Sequence, residues 1–521
     1  MVLEAFFSKK AQHSNNIFLG SPEAEAESSP LARVPLKEVY EDFHGIIEKI
    51  SGEKFIILSR KGCGKSAFAE YIKAISSDTP NLFCDFVQQS SIQLEKLIQI
   101  NSLQNEFDSS AFYRWVILIK ILGLLFKNEG IKDGKEYKEL KKFYSRNHGS
   151  VNIVGSEIER LIETNGFEVN AENLQRFLTL RFKREVSAFK KKAPFYKLLP
   201  NLEEVIVSVL SSPSELTNKN EYILFIDDLD IGFSAQNQEH IELMLSLLRT
   251  TKELNKVFFD LKIKAKVVLL LRNDISKKLI SADSAKIFRS YGIYINWFQN
   301  GFGRTIHENE TYLKRFINGR IVYAFKKAKK AFDINNPWGS LVNDSEYRVS
   351  GFDYIVENTL YRPRDLLLLF QPLDTDPFNF PLNKRDVDSL IRRYSDELVN
   401  ELTNEMISFY NKEEIASIIN ALAYIQNNSL NSQRDVLATF KMICGFCEPQ
   451  KLLDDLFERS VIAVSDPATG FINIKCREPI DTTETYSVKE TSRIVLQHAI
   501  ESYCSRRSSG FAAGSHARFF D

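Results

Sequence analysis

The sequence predicts an α/β protein built around a central parallel sheet, and three observations carry that expectation. An apolar run, Phe55-Ile56-Ile57-Leu58, leads into a glycine-bearing turn that ends Gly64-Lys65-Ser66. A second, Tyr222-Ile223-Leu224-Phe225-Ile226, ends in Asp227-Asp228-Leu229-Asp230, and a third, Val267-Val268-Leu269-Leu270-Leu271, ends in Arg272-Asn273-Asp274. Short continuous apolar runs suit strands buried on both faces, and polar residues at their carboxyl ends stand where open parallel sheets receive ligands. Leu82–Val87 and Gly292–Trp297 read as two further strands, with helical segments between, which makes five.

The first element is the most specific. In Ser59-Arg60-Lys61-Gly62-Cys63-Gly64-Lys65-Ser66-Ala67, the close glycines let successive N–H groups point inward as an anion nest, and the following helix presents its positive end. This approximates the phosphate-loop pattern G-x-x-x-x-G-K-[ST]. Arg60 to Ala67 are therefore the expected nucleotide-binding residues, with Lys65 on the β/γ-phosphates and the Ser66 hydroxyl on Mg²⁺. Ser59 stands where the pattern has glycine, so a slightly stiffer loop is expected, one that binds ATP well and turns it over slowly.

The acidic strand supplies what a phosphate loop needs next. Asp227, read as the first residue after the strand, would hold Mg²⁺ directly or through water, and Asp228 would orient or deprotonate the attacking water. At the end of the third strand Arg272 or Asn273 would sense the γ-phosphate, as a polar residue does there in P-loop ATPases of the additional-strand type; a surface residue after a strand is the plainer alternative.

Together with Tyr361-Arg362-Pro363-Arg364-Asp365, these motifs resemble a family of prokaryotic P-loop ATPases allied to the KAP and STAND NTPases, whose pattern is close to GRKGSGKSA, IDDLD, LRxD and RPRD. The upstream Leu19-Gly20-Ser21-Pro22-Glu23-Ala24-Glu25-Ala26-Glu27 is also similar to that family's N-terminal segment, while Ser59 and Cys63 depart from its pattern. The resemblance implies ATP and Mg²⁺ as cofactors and slow, switch-like hydrolysis in regulatory or phage-defence proteins. It also implies a helical lid in which Arg364 touches the γ-phosphate, with Arg362 in reserve; Arg289 or Arg304 would be candidates for a finger from a neighbouring subunit.

The chain has 521 residues, enough for three or four units, and its 44% apolar and 26% charged content is that of a soluble globular protein. Equal counts of 68 basic and 68 acidic residues give no global pull toward nucleic acid. The N-terminus has no secretory h-region, and Trp115–Phe126 is too short to span a bilayer and reads as a core helix. Six cysteines in this length make no disulfide framework, so a cytoplasmic protein is expected. Cys444 and Cys447 have half-zinc or redox spacing, but Cys476, Cys504 and His498 are the only nearby ligands and no second pair exists, so metal is disfavoured there. Cys63 is an oxidisable thiol within the loop.

The expected organisation is an N-terminal arm at 1–35, a P-loop core at 36–300 with a helical insertion at roughly 100–210, a helical lid at 301–404, a winged-helix-like domain at 405–505 and a flexible tail at 506–521. The insertion reads as helices at Ser110–Lys127, Lys135–Arg146 and Ala171–Lys192, with a basic cluster of Arg181, Lys183, Arg184, Lys190, Lys191 and Lys192 near Phe182, Phe189, Phe195 and Tyr196. Lys326, Lys327, Lys329 and Lys330 form a second patch; each reads as a phosphate grip or, more commonly, a solvated helix face. Helices near Lys412–Gln426, Ser432–Ile443 and Pro449–Arg459, then strands at Val461–Val464 and Phe471–Ile474 around the turn Asp466–Gly470, suggest the winged helix. Asp454, Asp455 and Glu458 on the third helix favour a protein partner over DNA.

Two functions compete on this evidence. One is a regulatory ATPase, a nucleotide-dependent switch and expected homo-oligomer; the other is a DNA-binding or remodelling ATPase resembling origin-recognition initiators. A GTPase reading fails because Asn218-Lys219-Asn220-Glu221 lacks the guanine-reading aspartate and precedes the acidic strand.

Overall fold

The computed structural model describes residues 16–88, 109–127, 135–147, 168–182, 192–211, 219–279, 281–299, 306–348, 350–465, 472–478, 488 and 493–511. They fall into two compact units, one formed by His44–Arg60 with Phe68–Ile295, the other by the described parts of Met1–Phe43, Lys61–Ala67 and Asn296–Asp521.

The first unit holds a five-stranded sheet of β1 (Ile56–Ser59), β2 (Leu82–Gln88), β5 (Glu221–Asp227), β6 (Ala265–Arg272) and β7 (Gly292–Tyr294), in the order β2-β5-β6-β1-β7. Every pairing is parallel. Ile56, Ile57 and Leu58 have no solvent exposure, as expected of a strand between two neighbours with both faces covered. Strand β6 separates β1 from β5, the arrangement expected of the additional-strand type. In register Ser59 lies opposite Arg272, and Ile226 opposite Leu269, so the ends of β1, β5 and β6 form one edge.

The insertion forms helices at Ser109–Lys127, Lys135–Asn147, Glu172–Phe182 and Phe195–Leu210. Ser109–Lys127 is the only described helix long and apolar enough to cross a membrane, longer than the Trp115–Phe126 core counted from sequence. Here it packs against β2, β5 and the helix Gln238–Asp260, with Trp115, Leu118, Leu122 and Leu124 completely buried. Of the helix expected over Ala171–Lys192, Glu172–Phe182 is helical, and Lys192–Pro194 is a short strand, β4, paired with β3 (Glu168–Asn170). Pro194 holds its predecessor Ala193 in extended backbone, which suits that strand. Lys183, Arg184, Phe189, Lys190 and Lys191 lie outside the described residues, as do the side chains of Arg181, Phe182, Lys192 and Phe195.

In the second unit the N-terminal arm is tied down. Ile17 N–H donates to Leu373 O, and Glu27 forms a buried ion pair with Arg320 at 2.7 Å. The helical region includes Tyr312–Lys327, Pro363–Phe370 and Lys384–Met406, the last opened by a reciprocal cap between Asn383 and Asp386 as their spacing predicts. Helices Lys412–Asn427, Gln433–Ile443 and Pro449–Glu458 follow, then an antiparallel sheet in the order β10-β8-β9: β8 (Ile462–Ser465), β9 (Ile472–Asn473) and β10 (Arg493–Leu496). β10 was not foreseen, and the turn Asp466–Gly470 with Phe471 lies outside the described residues.

Of the tail expected at 506–521, residues 506–511 are helical and the rest lie outside the described residues. The final helix runs from His498 to Phe511 and packs against Lys384–Met406. Arg506 anchors it, donating to Ser395 Oγ at 2.7 Å and to Asp396 Oδ1 at 2.6 Å.

Candidate functional site: a phosphate loop, a lid and an acidic strand edge

The loop begins where β1 ends. Ser59 is the last strand residue, fully buried, with its hydroxyl donating to Arg60 O at 2.8 Å. Its φ is not positive; the positive values fall on Gly62 at +79° and Gly64 at +94°. The expectation that Ser59 stiffens the loop is therefore corrected, since glycine stands at both positions that need it. A Cβ on Gly62 would also lie 3.1 Å from Arg364 Cβ, a tight approach that adds to the backbone's demand for glycine. Cys63 is buried between them. Lys65, Ser66 and Ala67 open the helix Lys65–Ser76, with the Lys65 side chain largely buried.

Within the same unit Arg362, Arg364 and Trp297 meet the loop through its carbonyls. Arg362 Nη1 donates to Lys61 O at 3.1 Å, Arg364 N–H to Gly62 O at 3.4 Å, and Trp297 Nε1 to Cys63 O at 2.9 Å. The two arginines then part ways. Arg362 is buried and paired with Asp365 and Glu405, each at 2.8 Å. Burial opposes its charge, but these two carboxylates hold its pKa well above the ordinary arginine range. Asp365, with no exposure, also accepts from Leu360 N–H at 3.0 Å, which fixes the start of the helix Pro363–Phe370. Arg364 is 23% exposed, which leaves it room to change partner. Its Nη1 meets Glu401 Oε2 at 3.1 Å, its Nε donates to Pro22 O at 3.3 Å, and the same Glu401 oxygen lies 3.9 Å from Lys61 Nζ.

The acidic residues belong to the sheet unit. Asp227 is the last residue of β5 rather than the first after it, and its Oδ1 accepts from Asp228 N–H at 2.8 Å. Asp228 adopts φ +57°, a left-handed conformation that aspartate tolerates better than most residues. Arg272, nearly buried, donates to Asp230 Oδ2 at 2.8 Å and forks onto Asp274 at 2.5 and 3.0 Å. It ties the end of β6 to the turn after β5, so a sensing role would compete with two carboxylates already in hand. Neighbouring Asn273 is buried, with no hydrogen-bond partner for Oδ1 among the described residues.

Other candidates separate cleanly. Arg289 is an exposed residue of the helix Ala282–Tyr291, and Arg304 lies outside the described residues. Of the second basic patch, Lys326, Lys327 and Lys329 are exposed, while Lys330 stacks 4.4 Å from the Phe380 ring. Cys444 is buried and burial pushes its thiol up to about 12, while Cys447 is partly exposed. Among the described residues no group of three or more His, Cys, Asp or Glu is arranged to hold a metal. Trp297, Glu401 and Glu405 carry no motif signal, and Asp274, although it closes the L-R-x-D pattern, has no role assigned from sequence.

Comparison with known proteins adds a family match over part of the chain. Residues 311–403 match the FunZ-associated C-terminal helical domain, a stretch that includes Arg362, Arg364 and Glu401. No curated protein matches the chain. Among solved structures, the Aeropyrum pernix ORC2 protein, determined as ADPNP-ADP complexes, is similar over 96% of this chain and 98% of that one, at 10% identity and a TM-score of 0.29. A likeness that slight carries no argument; the fold is read from the strand order and loop conformation above.

Proposed function

We propose that the protein is a P-loop ATPase that binds ATP with Mg²⁺ and hydrolyses it slowly as a nucleotide-dependent switch. The observation that carries the reading is the phosphate loop itself: glycines at φ +79° and +94° between the end of β1 and a helix opening with Lys65-Ser66, in a sheet where β6 separates β1 from the aspartate-ending β5. Lys65 would contact the β/γ-phosphates, and backbone N–H groups from Arg60 to Ala67 would cradle them. Ser66 and Asp227 offer hard oxygen donors, which fit Mg²⁺ because that ion takes few protein ligands and leaves the rest to water and phosphate. Bound Mg²⁺ would neutralise charge on the transferring phosphoryl group. Asp228 would orient the attacking water, and Arg364, released from Glu401, would report the γ-phosphate.

Partner and output belong to the same proposal. Three helices followed by an antiparallel sheet support a winged-helix-like module at 405–505. The acids on its third helix are turned to structural use: Asp455 pairs with Arg459 at 2.9 Å, and Asp454 accepts from Val488 N–H at 3.0 Å. The proposed protein partner has as its support the acidic content of that helix, Asp454, Asp455 and Glu458 against Lys451 and Arg459. A role in phage defence and assembly into a homo-oligomer have the motif resemblance as their support.

Calorimetry with ATP tests the reading. Lys65→Ala is expected to abolish binding, and unchanged affinity would overturn the site. Asp228→Ala is expected to retain ATP and lose phosphate release; wild-type release from that variant would move the water-orienting role to another acid.

A further inference from the structure

A trans peptide is planar, with its C=O and the next residue's N–H pointing in opposite directions. Fixing the carbonyl of one residue therefore aims the N–H of the next. In the loop, Arg362 holds the carbonyl of Lys61, the Arg364 N–H that of Gly62, and the Trp297 indole that of Cys63. The N–H groups so directed are those of Gly62, Cys63 and Gly64, the consecutive donors a phosphate nest requires. The indole bond is the shortest of the three, and Trp297 is itself fixed by edge-on contacts to Phe43 at 5.4 Å and Phe316 at 5.7 Å.

We infer that Trp297 is a positioning residue of the phosphate loop: its indole N–H, through Cys63 O, aims the Gly64 N–H at the phosphoryl oxygens of a nucleotide, with Arg362 doing the same for Gly62 through Lys61 O. This rests on the ATP reading above and adds that the loop's donors are set by residues of the 296–521 segment. The loop is counted with that segment and with 1–43, although the strand before it and most of the helix after it belong to the other unit.

The test uses the full chain and Mg²⁺–ATP or Mg²⁺–ADP in calorimetry. Trp297→Phe keeps an aromatic ring against Phe43 and Phe316 while removing the N–H and part of the indole's volume. Loss of one donor-aiming bond is expected to weaken both nucleotides by roughly tenfold, the scale of a single hydrogen bond. Both should weaken together, because the nest serves a phosphate common to the two. Wild-type tryptophan emission should also change on saturation with ATP, and that change should be absent in Trp297→Phe.

Wild-type binding matched by Trp297→Phe would overturn this inference alone; a wild-type chain that takes up no ATP would overturn the nucleotide reading and this inference with it. Should Trp297→Phe lose its far-ultraviolet circular dichroism, emission from a chain carrying Trp115→Phe and Trp338→Phe, where Trp297 is the one remaining tryptophan, decides: a change on ATP supports the role, and unchanged emission at a saturation confirmed by calorimetry overturns it.

Discussion

The edge of the sheet and the loop face of the lid use the same chemistry, arginine against carboxylate, to different ends. At the sheet edge Arg272 joins Asp230 and Asp274, all within one turn of a strand end. At the lid, Arg362 reaches Asp365 three residues away, Glu405 on the long helix and the carbonyl of Lys61, whereas Arg364 rests on Glu401 with part of its surface in water. Two arginines two residues apart thus divide the labour: the buried one is scaffold and the partly exposed one has room to exchange partners. A motif containing both does not say which is which; burial does.

The largest expected effect sharpens that division. Arg362→Ala leaves Asp365 and Glu405 buried without their cation, which should cost about 3–5 kcal/mol of stability in urea unfolding. Less than 1 kcal/mol would mean that Arg362 is no scaffold. Gly62→Ala comes next: a left-handed φ and the approach to Arg364 Cβ should cost about 1–2 kcal/mol and weaken ATP binding in calorimetry. Arg364→Ala should change stability by less than about 1 kcal/mol, because its pair with Glu401 is partly solvated, yet lower phosphate release at saturating ATP. A stability loss matching that of Arg362→Ala would erase the distinction between the two arginines. The smallest effect is expected from Ser59→Gly, which should leave ATP affinity and turnover unchanged and cost no more than about 1 kcal/mol from added chain freedom in a strand. Faster turnover would return Ser59 to the role its place in the motif suggests.

The sheet edge was legible in the sequence because strands impose their own order. An apolar run ending in Asp227-Asp228 or Arg272-Asn273 fixes which residues reach the edge, and β1, β5 and β6 lie side by side as the motifs require. The lid face was legible only in its local part, Arg362 to Asp365. Its other members, Trp297, Glu401, Glu405 and Pro22, come from distant points in the chain and carry no shared spacing, so only folding reveals that they converge. Ser59 was misjudged for a related reason: the motif counts positions, whereas the backbone decides which of them turn left-handed. The final helix was misjudged because Ser/Gly-rich composition suggested a free end, while Arg506 has anchors on a helix more than a hundred residues earlier.

The grouping of Lys61–Ala67 with residues 296–521 also bears on how such a chain can be recombined. A chimaera that kept 44–295 and took its C-terminal half from a relative without Trp297 and Arg362 would inherit every residue of the phosphate motif, yet lose the side-chain donors to two loop carbonyls. The loop and the segment that holds its carbonyls therefore form a single heritable module despite the more than two hundred residues between them.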